Sequence, residues 1–159
     1  MKRLIVILGV MGVSLSPIFV RFSTAPSMVL VLYRVAFAAL LLTPYVLLRC
    51  RKELKAMRRR DWLLCLLAGV FLGLHFTCYF ESLRRTAIAP AAVLVNTEAI
   101  FVTLGTVLFM KAKLPKQAWL AVLLAFAGSV IVAMADAGSG GGALLGNLLA
   151  LAGAIFGAV

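Results

Sequence analysis

The sequence predicts an all-α, polytopic transmembrane helix bundle. Three observations predict it: apolar residues fill 64% of the 159 positions, mean hydropathy is +1.12, and the apolar residues fall into long runs separated by short basic segments. Soluble domains carry about 45–50% apolar residues, and a soluble domain of this size has nowhere to bury the excess. A lipid phase removes the difficulty, because side chains facing hydrocarbon need no protein partner and a helix satisfies its own backbone hydrogen bonds.

A spanning helix needs about 20 mostly apolar residues, at about 1.5 Å rise each, to cross roughly 30 Å of hydrocarbon. Five segments meet that requirement, over residues 4–20, 28–48, 62–80, 87–110 and 119–135, and a partial sixth runs over 143–159. The first follows Lys2 and Arg3 and has the small residues Ser23 and Ala25 beyond it, the outline of a secretory signal. Pro17 interrupts its apolar run and Pro26 would follow the scissile bond, so the segment reads as a retained helix. The second ends at the basic stretch 49–60, the third opens at Trp62, and the fourth carries the mid-depth polar residues. The fifth opens at Trp119, and the sixth stops inside an apolar run without a basic or aromatic anchor, so Val159 is not expected to be a natural terminus.

Lysine and arginine favour the cytoplasmic side of a membrane. Twelve of them fall on alternate connections: Lys2 and Arg3, the seven between Arg49 and Arg60, then Lys111, Lys113 and Lys116. The other side has only Arg21, Arg84 and Arg85. This asymmetry predicts a multi-pass protein of the plasma (inner) membrane with a cytoplasmic N-terminus. It also accounts for the net charge of +11 without nucleic acid, which a continuous basic face would have suggested. The 49–60 loop reads as a topology determinant before it reads as an anionic-lipid sensor.

Cys50, Cys65 and Cys78 form no CxxC pair, and His75 is the sole histidine, so no metal site, disulfide framework or cofactor is expected. No HExxH, GxSxG or acidic cluster points to an intramembrane enzyme. The lipid bilayer is the first partner implied. The stretch from Gly138 to Gly142 is a flexible linker by composition. It divides the chain into a five-helix unit over 1–136, a linker over 137–142 and a truncated further helix over 143–159. A unit with an odd number of helices, repeated after such a linker, re-enters the membrane inverted.

The stretches SLSPIFVRFS at 14–23, VLYRVAFAALLLTP at 31–44, AVLVNTEAIFVTLGTVLF at 92–109 and QAWLAVLLAFAGSVIV at 117–132 together resemble one repeat of the EamA family, within the drug/metabolite transporter superfamily. The resemblance covers about residues 4–136, with 143–159 similar to the opening helix of a second repeat. It implies one half of a ten-helix, inverted-repeat permease that moves small metabolites or drugs across the plasma membrane by alternating access. Its partners would be a small-molecule solute and either the missing C-terminal repeat or a second copy. One departure stands out: the chain reads Lys111-Ala112-Lys113 where the family carries a Gly-Glu-Arg type turn. A noncatalytic membrane scaffold or a nonfunctional transporter fragment is the alternative reading.

An ionisable side chain at mid-bilayer costs about 2.5–3.5 kcal/mol on insertion scales, so it usually faces a cavity or a partner. Glu98 lies about eleven residues, roughly 16 Å of rise, into the fourth segment, with Asn96, Thr97, Thr103 and Thr106 along the same helix. It is expected to line a solute path, against the plainer reading of a neutral, hydrogen-bonded Glu. Arg34 lies near the start of the second segment, where it either snorkels to the interface or faces the path. The family resemblance favours the path, because Tyr33-Arg34 matches a Tyr-Arg context common there. An Arg34 to Glu98 pairing would offset both insertion costs. His75 and Tyr79 are four apart on one face of the third segment and are further path candidates; Glu81 and Arg85 form a second four-residue pair, read as an interfacial ion pair. Small-residue faces (Gly9, Gly12 and Ser16; Gly69 and Gly73; Gly146, Ala150, Gly153 and Gly157) are expected to serve close helix packing.

Overall fold

A computed structural model describes residues 2–111, 114–137 and 141–159. Every element among them is a helix: α1 (Lys2–Phe22), α2 (Ser27–Arg49), α3 (Arg51–Ala56), α4 (Arg59–Arg85), α5 (Ile88–Val95), α6 (Glu98–Met110), α7 (Lys116–Ala137) and α8 (Gly141–Ala158). Four spans among the described residues are long and apolar enough to cross a membrane: α2, α4, the 23 residues Ile88–Met110 that hold α5 and α6, and α7. The apolar stretches described in α1 and α8 are shorter, Gly9–Phe22 and Gly142–Ala158. The basic 49–60 loop contains the short α3, which the sequence reading treated as irregular. Of the expected Gly138 to Gly142 linker, residues 138–140 lie outside the described residues, as do Ala112 and Lys113 of the α6–α7 turn.

Local chemistry sets several helix ends. Asp61 in the first turn of α4 accepts a hydrogen bond from the Arg58 backbone N–H at 2.8 Å and places negative charge where the helix dipole favours it. Arg84 and Arg85 put positive charge at the other end of the same helix.

The expected single helix over 87–110 is interrupted near its middle. Asn96 Nδ2 donates to the Ala92 carbonyl at 2.8 Å, and Thr97 Oγ1 donates to the Leu94 carbonyl at 2.6 Å. Backbone bonds tighten there to the i−3 pattern, from Thr97 to Leu94, Ala99 to Asn96 and Ile100 to Thr97. Two consecutive polar side chains thus take carbonyls of the preceding turn at the break, where the helix tightens. Glu98 is consequently the first residue of α6.

The end of the bundle carrying the α1–α2 and α4–α5 loops is tied by charge. Arg21 donates to the carbonyls of Leu83 (2.8 Å) and Thr86. Arg84 reaches back to the carbonyls of Ser23 and Ala25. Glu81 accepts from Ser27 Oγ at 2.9 Å and pairs with Arg85 at 2.8 Å, as the four-residue spacing suggested. Of the arginines on the lightly charged side, Arg21 and Arg84 thus tie α1 and the α1–α2 loop to the end of α4, whereas Arg85 pairs within α4 and holds the Glu81 carboxylate that Ser27 of α2 reaches. Beneath them lies a small core of Val20, Val31, Phe80, Leu83 and Ala91.

α8 packs along α4 and also touches α5 and α6. Its glycines are what permit this. A Cβ added at Gly146 would lie 2.8 Å from the Thr86 Cβ, one at Gly153 3.2 Å from the His75 carbonyl oxygen, and one at Gly157 2.6 Å from both Glu98 Oε2 and His75 Nδ1. By contrast, Gly9, Gly12, Gly69 and Gly73 have nothing within 4 Å of an added Cβ. Among the described residues the close-packing role is therefore seen for α8, which has another helix opposite its stripe, and the glycines of α1 and α4 face open space.

Large apolar side chains cover the outside, among them Leu41 (73% exposed), Leu48 (84%) and Phe109 (84%). A water-soluble monomer rarely presents so much contiguous apolar surface, whereas hydrocarbon solvates it at no cost.

Candidate functional site

A cavity of about 450 Å³ lies between α1, α2, α4 and the α5–α6 break. Its polar lining comprises Ser14, Ser16, Arg34, His75, Tyr79, Asn96 and Glu98, and Phe76, Ile88 and Val95 supply apolar walls. Five of the six residues expected on a solute path thus meet in one space. The sixth, Tyr33, is 60% exposed and lines none of the described cavities. A second, more open space of about 500 Å³ adjoins the first and shares Val13, Ser16 and Arg34 with it.

Glu98 is placed by the helix break. It is the eleventh of the 23 residues of the span Ile88–Met110, so its carboxylate opens α6 near the middle of that span, where the helix dipole favours negative charge. His75 Nδ1 lies 3.6 Å from Glu98 Oε2, too far for a hydrogen bond but close enough for an imidazolium to be attracted. The same Nδ1 is 2.8 Å from the Gly153 carbonyl oxygen. A carbonyl only accepts, so Nδ1 carries a proton and Nε2 is the ring nitrogen left for other work.

Arg34 stands across the same cavity. Its guanidinium lies 4.4 Å from the centroid of the Phe76 ring, within cation–π range, and Nη1 donates to Ser16 Oγ at 3.1 Å. No ion pair joins Arg34 to Glu98 among the described residues; the acid's nearest ionisable neighbour is His75. The pairing that sequence reasoning offered is replaced by stacking on one side and a histidine on the other. Pro17, on the α1 wall, has no N–H to give the Val13 carbonyl, and Val13 lines both spaces.

Sequence reasoning passed over two features. Asp136 was placed just beyond a helix end, yet it is 7% exposed and accepts a hydrogen bond from Thr86 Oγ1; a lone acid closing an apolar run was the available signal. The approach of Gly157 to Glu98 and His75 depends on which helix faces α8, and nothing in the α8 sequence announces it. No group of three or more His, Cys, Asp or Glu among the described residues is arranged to hold a metal ion.

Comparison with known proteins agrees with this architecture. The chain is 27% identical over 110 residues to the Pseudopaline exporter CntI of Pseudomonas aeruginosa, in strains UCBPP-PA14 and PAO1 alike; the match covers 69% of this chain and 37% of the exporter. The matched segment therefore spans well under half the length of these relatives. No solved structure matches it. The model of the EamA-like transporter family matches residues 2–134, from α1 to the last turn of α7, and the chain belongs to that family of membrane transporters.

Proposed function

We propose that this chain supplies one repeat of a permease that carries a small solute across the plasma membrane by alternating access, driven by a secondary gradient. The observation that carries the proposal is the cavity in which Arg34, His75, Tyr79, Asn96 and Glu98 converge at the break between α5 and α6. Charged groups at mid-depth are costly unless they face a partner or a solute path, and discontinuous helices that aim their ends at such a path recur in secondary transporters. In this reading residues 1–136 are the first repeat, 137–142 the linker and 143–159 the opening helix of a second, inverted repeat. A C-terminal repeat or a second copy closes the cavity from the remaining side. The N-terminus and the basic 49–60 loop lie in the cytoplasm. The exporter named above lends support to outward movement of the solute.

The test is solute flux in vesicles reconstituted with the protein, comparing the native chain with Glu98→Gln. The native protein should move solute, and the variant should lose about tenfold or more of that flux, as removal of one charge-assisted contact implies. Equal flux through both would remove Glu98 from the path.

A further inference from the structure

The two ends of the bundle use their positive charge differently. At the end carrying the α1–α2 and α4–α5 loops, Arg21 and Arg84 donate to backbone carbonyls and Arg85 pairs with Glu81. At the other end, beyond α2, the seven basic residues between Arg49 and Arg60 are all exposed, and none of them forms an ion pair among the described residues. The protein has five acidic side chains in all, and most are engaged elsewhere. Glu81 takes Arg85, Glu98 stands beside His75, Asp136 accepts from Thr86, and Asp61 accepts from the Arg58 backbone N–H. Glu53 alone is left inside the segment, so its positive charge is largely unbalanced by the protein itself.

These charges stand at the depth of lipid headgroups. Arg49 is the last residue of α2, and Arg59 and Arg60 open α4, so three guanidinium groups sit on the ends of the spans themselves. Beside them Leu48 is 84% exposed and Trp62 55%. An exposed leucine belongs in hydrocarbon, and tryptophan collects at the headgroup level. Arg59 lies three residues, about 4.5 Å of rise, beyond Trp62. Between the spans, Arg51, Lys52 and Lys55 of α3 are exposed while Leu54 and the following Met57 are partly covered, and α3 touches α2. The basic side of α3 is thereby held close to the membrane surface, on a connection too short to swing away from it.

We infer that α3 and the span ends flanking it form a binding site for anionic phospholipid headgroups, holding more than one phosphate at a time. The inference does not depend on what the cavity carries. Guanidinium groups make paired, charge-assisted hydrogen bonds to phosphate. Each Lys or Arg near an anionic surface is worth about a fivefold gain in association. A zwitterionic headgroup brings a cationic group alongside its phosphate, which this segment repels; an anionic headgroup brings none. Nucleic acid offers the same phosphates, but it must arrive from solution, whereas headgroups already stand beside Arg49 and Arg59.

The experiment uses the full chain with Trp119→Phe, which leaves Trp62 as its sole tryptophan, in bilayers of phosphatidylcholine with a minor fraction of phosphatidylglycerol. Brominated acyl chains quench tryptophan on contact, so bromine is placed on one lipid or on the other. Brominated phosphatidylglycerol should quench Trp62 as though its local fraction were about fivefold above the bulk. Raising the salt to about 1 M, where the screening length falls to about 3 Å, should bring quenching back to the bulk value. Arg51→Gln, Lys52→Gln and Lys55→Gln combined should remove most of the enrichment at low salt. The same comparison on the native chain, with both tryptophans, needs no variant to fold. Quenching at low salt that matches the bulk fraction of each lipid would overturn the site, and so would an enrichment untouched by salt. Displacement of the lipid by inorganic phosphate or by an oligonucleotide, each at matched ionic strength, would give the face to a soluble phosphate and overturn the assignment as well.

Discussion

The Glu98 carboxylate and the His75 imidazole, from helices that are not neighbours in sequence, stand 3.6 Å apart, and Gly157 of α8 leaves room for no side chain beside them. This arrangement joins the break in the fourth span, the face of α4 and the backbone of α8 at one point in the bundle.

Gly157→Ala should be costly where other glycine substitutions are not. Its new methyl would sit 2.6 Å from Glu98 Oε2 and His75 Nδ1, so α8 must withdraw or the pair must separate, an overpacking cost of about 1–3 kcal/mol. Gly12→Ala and Gly69→Ala meet nothing within 4 Å and should be neutral or slightly stabilising, as alanine is the better helix former. Thermal unfolding of the three variants in detergent separates these outcomes.

His75 has a structural duty separable from its charge. His75→Leu removes the donor to the Gly153 carbonyl and should lower stability by about 0.6 kcal/mol, the average for such bonds in membrane bundles, rising towards about 1.7 kcal/mol at most. His75→Gln retains an N–H donor of similar reach and should recover most of that loss. Equal melting temperatures for the native chain and the leucine variant would show that the bond contributes nothing.

The arginine clamp predicts an asymmetry between the two ends of the bundle. Arg21→Ala strips donors from the Leu83 and Thr86 carbonyls and should destabilise by about 1 kcal/mol. Arg59→Ala, at an exposed position in the first turn of α4, should stay within about 0.5 kcal/mol of the native chain. Denaturant titration in detergent reads both.

Orientation can be read by labelling. In a background lacking Cys50, Cys65 and Cys78, Lys55→Cys should react with an impermeant thiol reagent only when the cytoplasmic face is exposed, and Thr24→Cys only from the opposite face. The reverse pattern would invert the assignment drawn from the lysine and arginine distribution.

Much of this architecture was legible in the chain because lipid imposes simple rules. Apolar runs must span, and an acid deep in such a run must face something, so the all-helical, membrane-spanning character could be read from residues alone. The break at Asn96 and Thr97 was not legible, since those residues are tolerated in unbroken helices and act only through the carbonyls they choose. Neither was the company Glu98 keeps. A glycine stripe reads the same on α4 as on α8, and which one permits close approach is decided by the helix standing opposite. Arg34 lines the cavity, but its stacking on Phe76 depends on the register between α2 and α4, a relation that no local pattern encodes.

Water access to the cavity tests the central claim most directly. Ala92 lines that space beside Asn96 and Glu98, whereas Leu41 is 73% exposed on the apolar exterior and lines none of the described cavities. With the native cysteines replaced, Ala92→Cys in membrane vesicles should react with a charged, impermeant thiol reagent from one face, and Leu41→Cys should not. An Ala92→Cys variant as inert as Leu41→Cys from both faces would contradict a solute path through this part of the bundle.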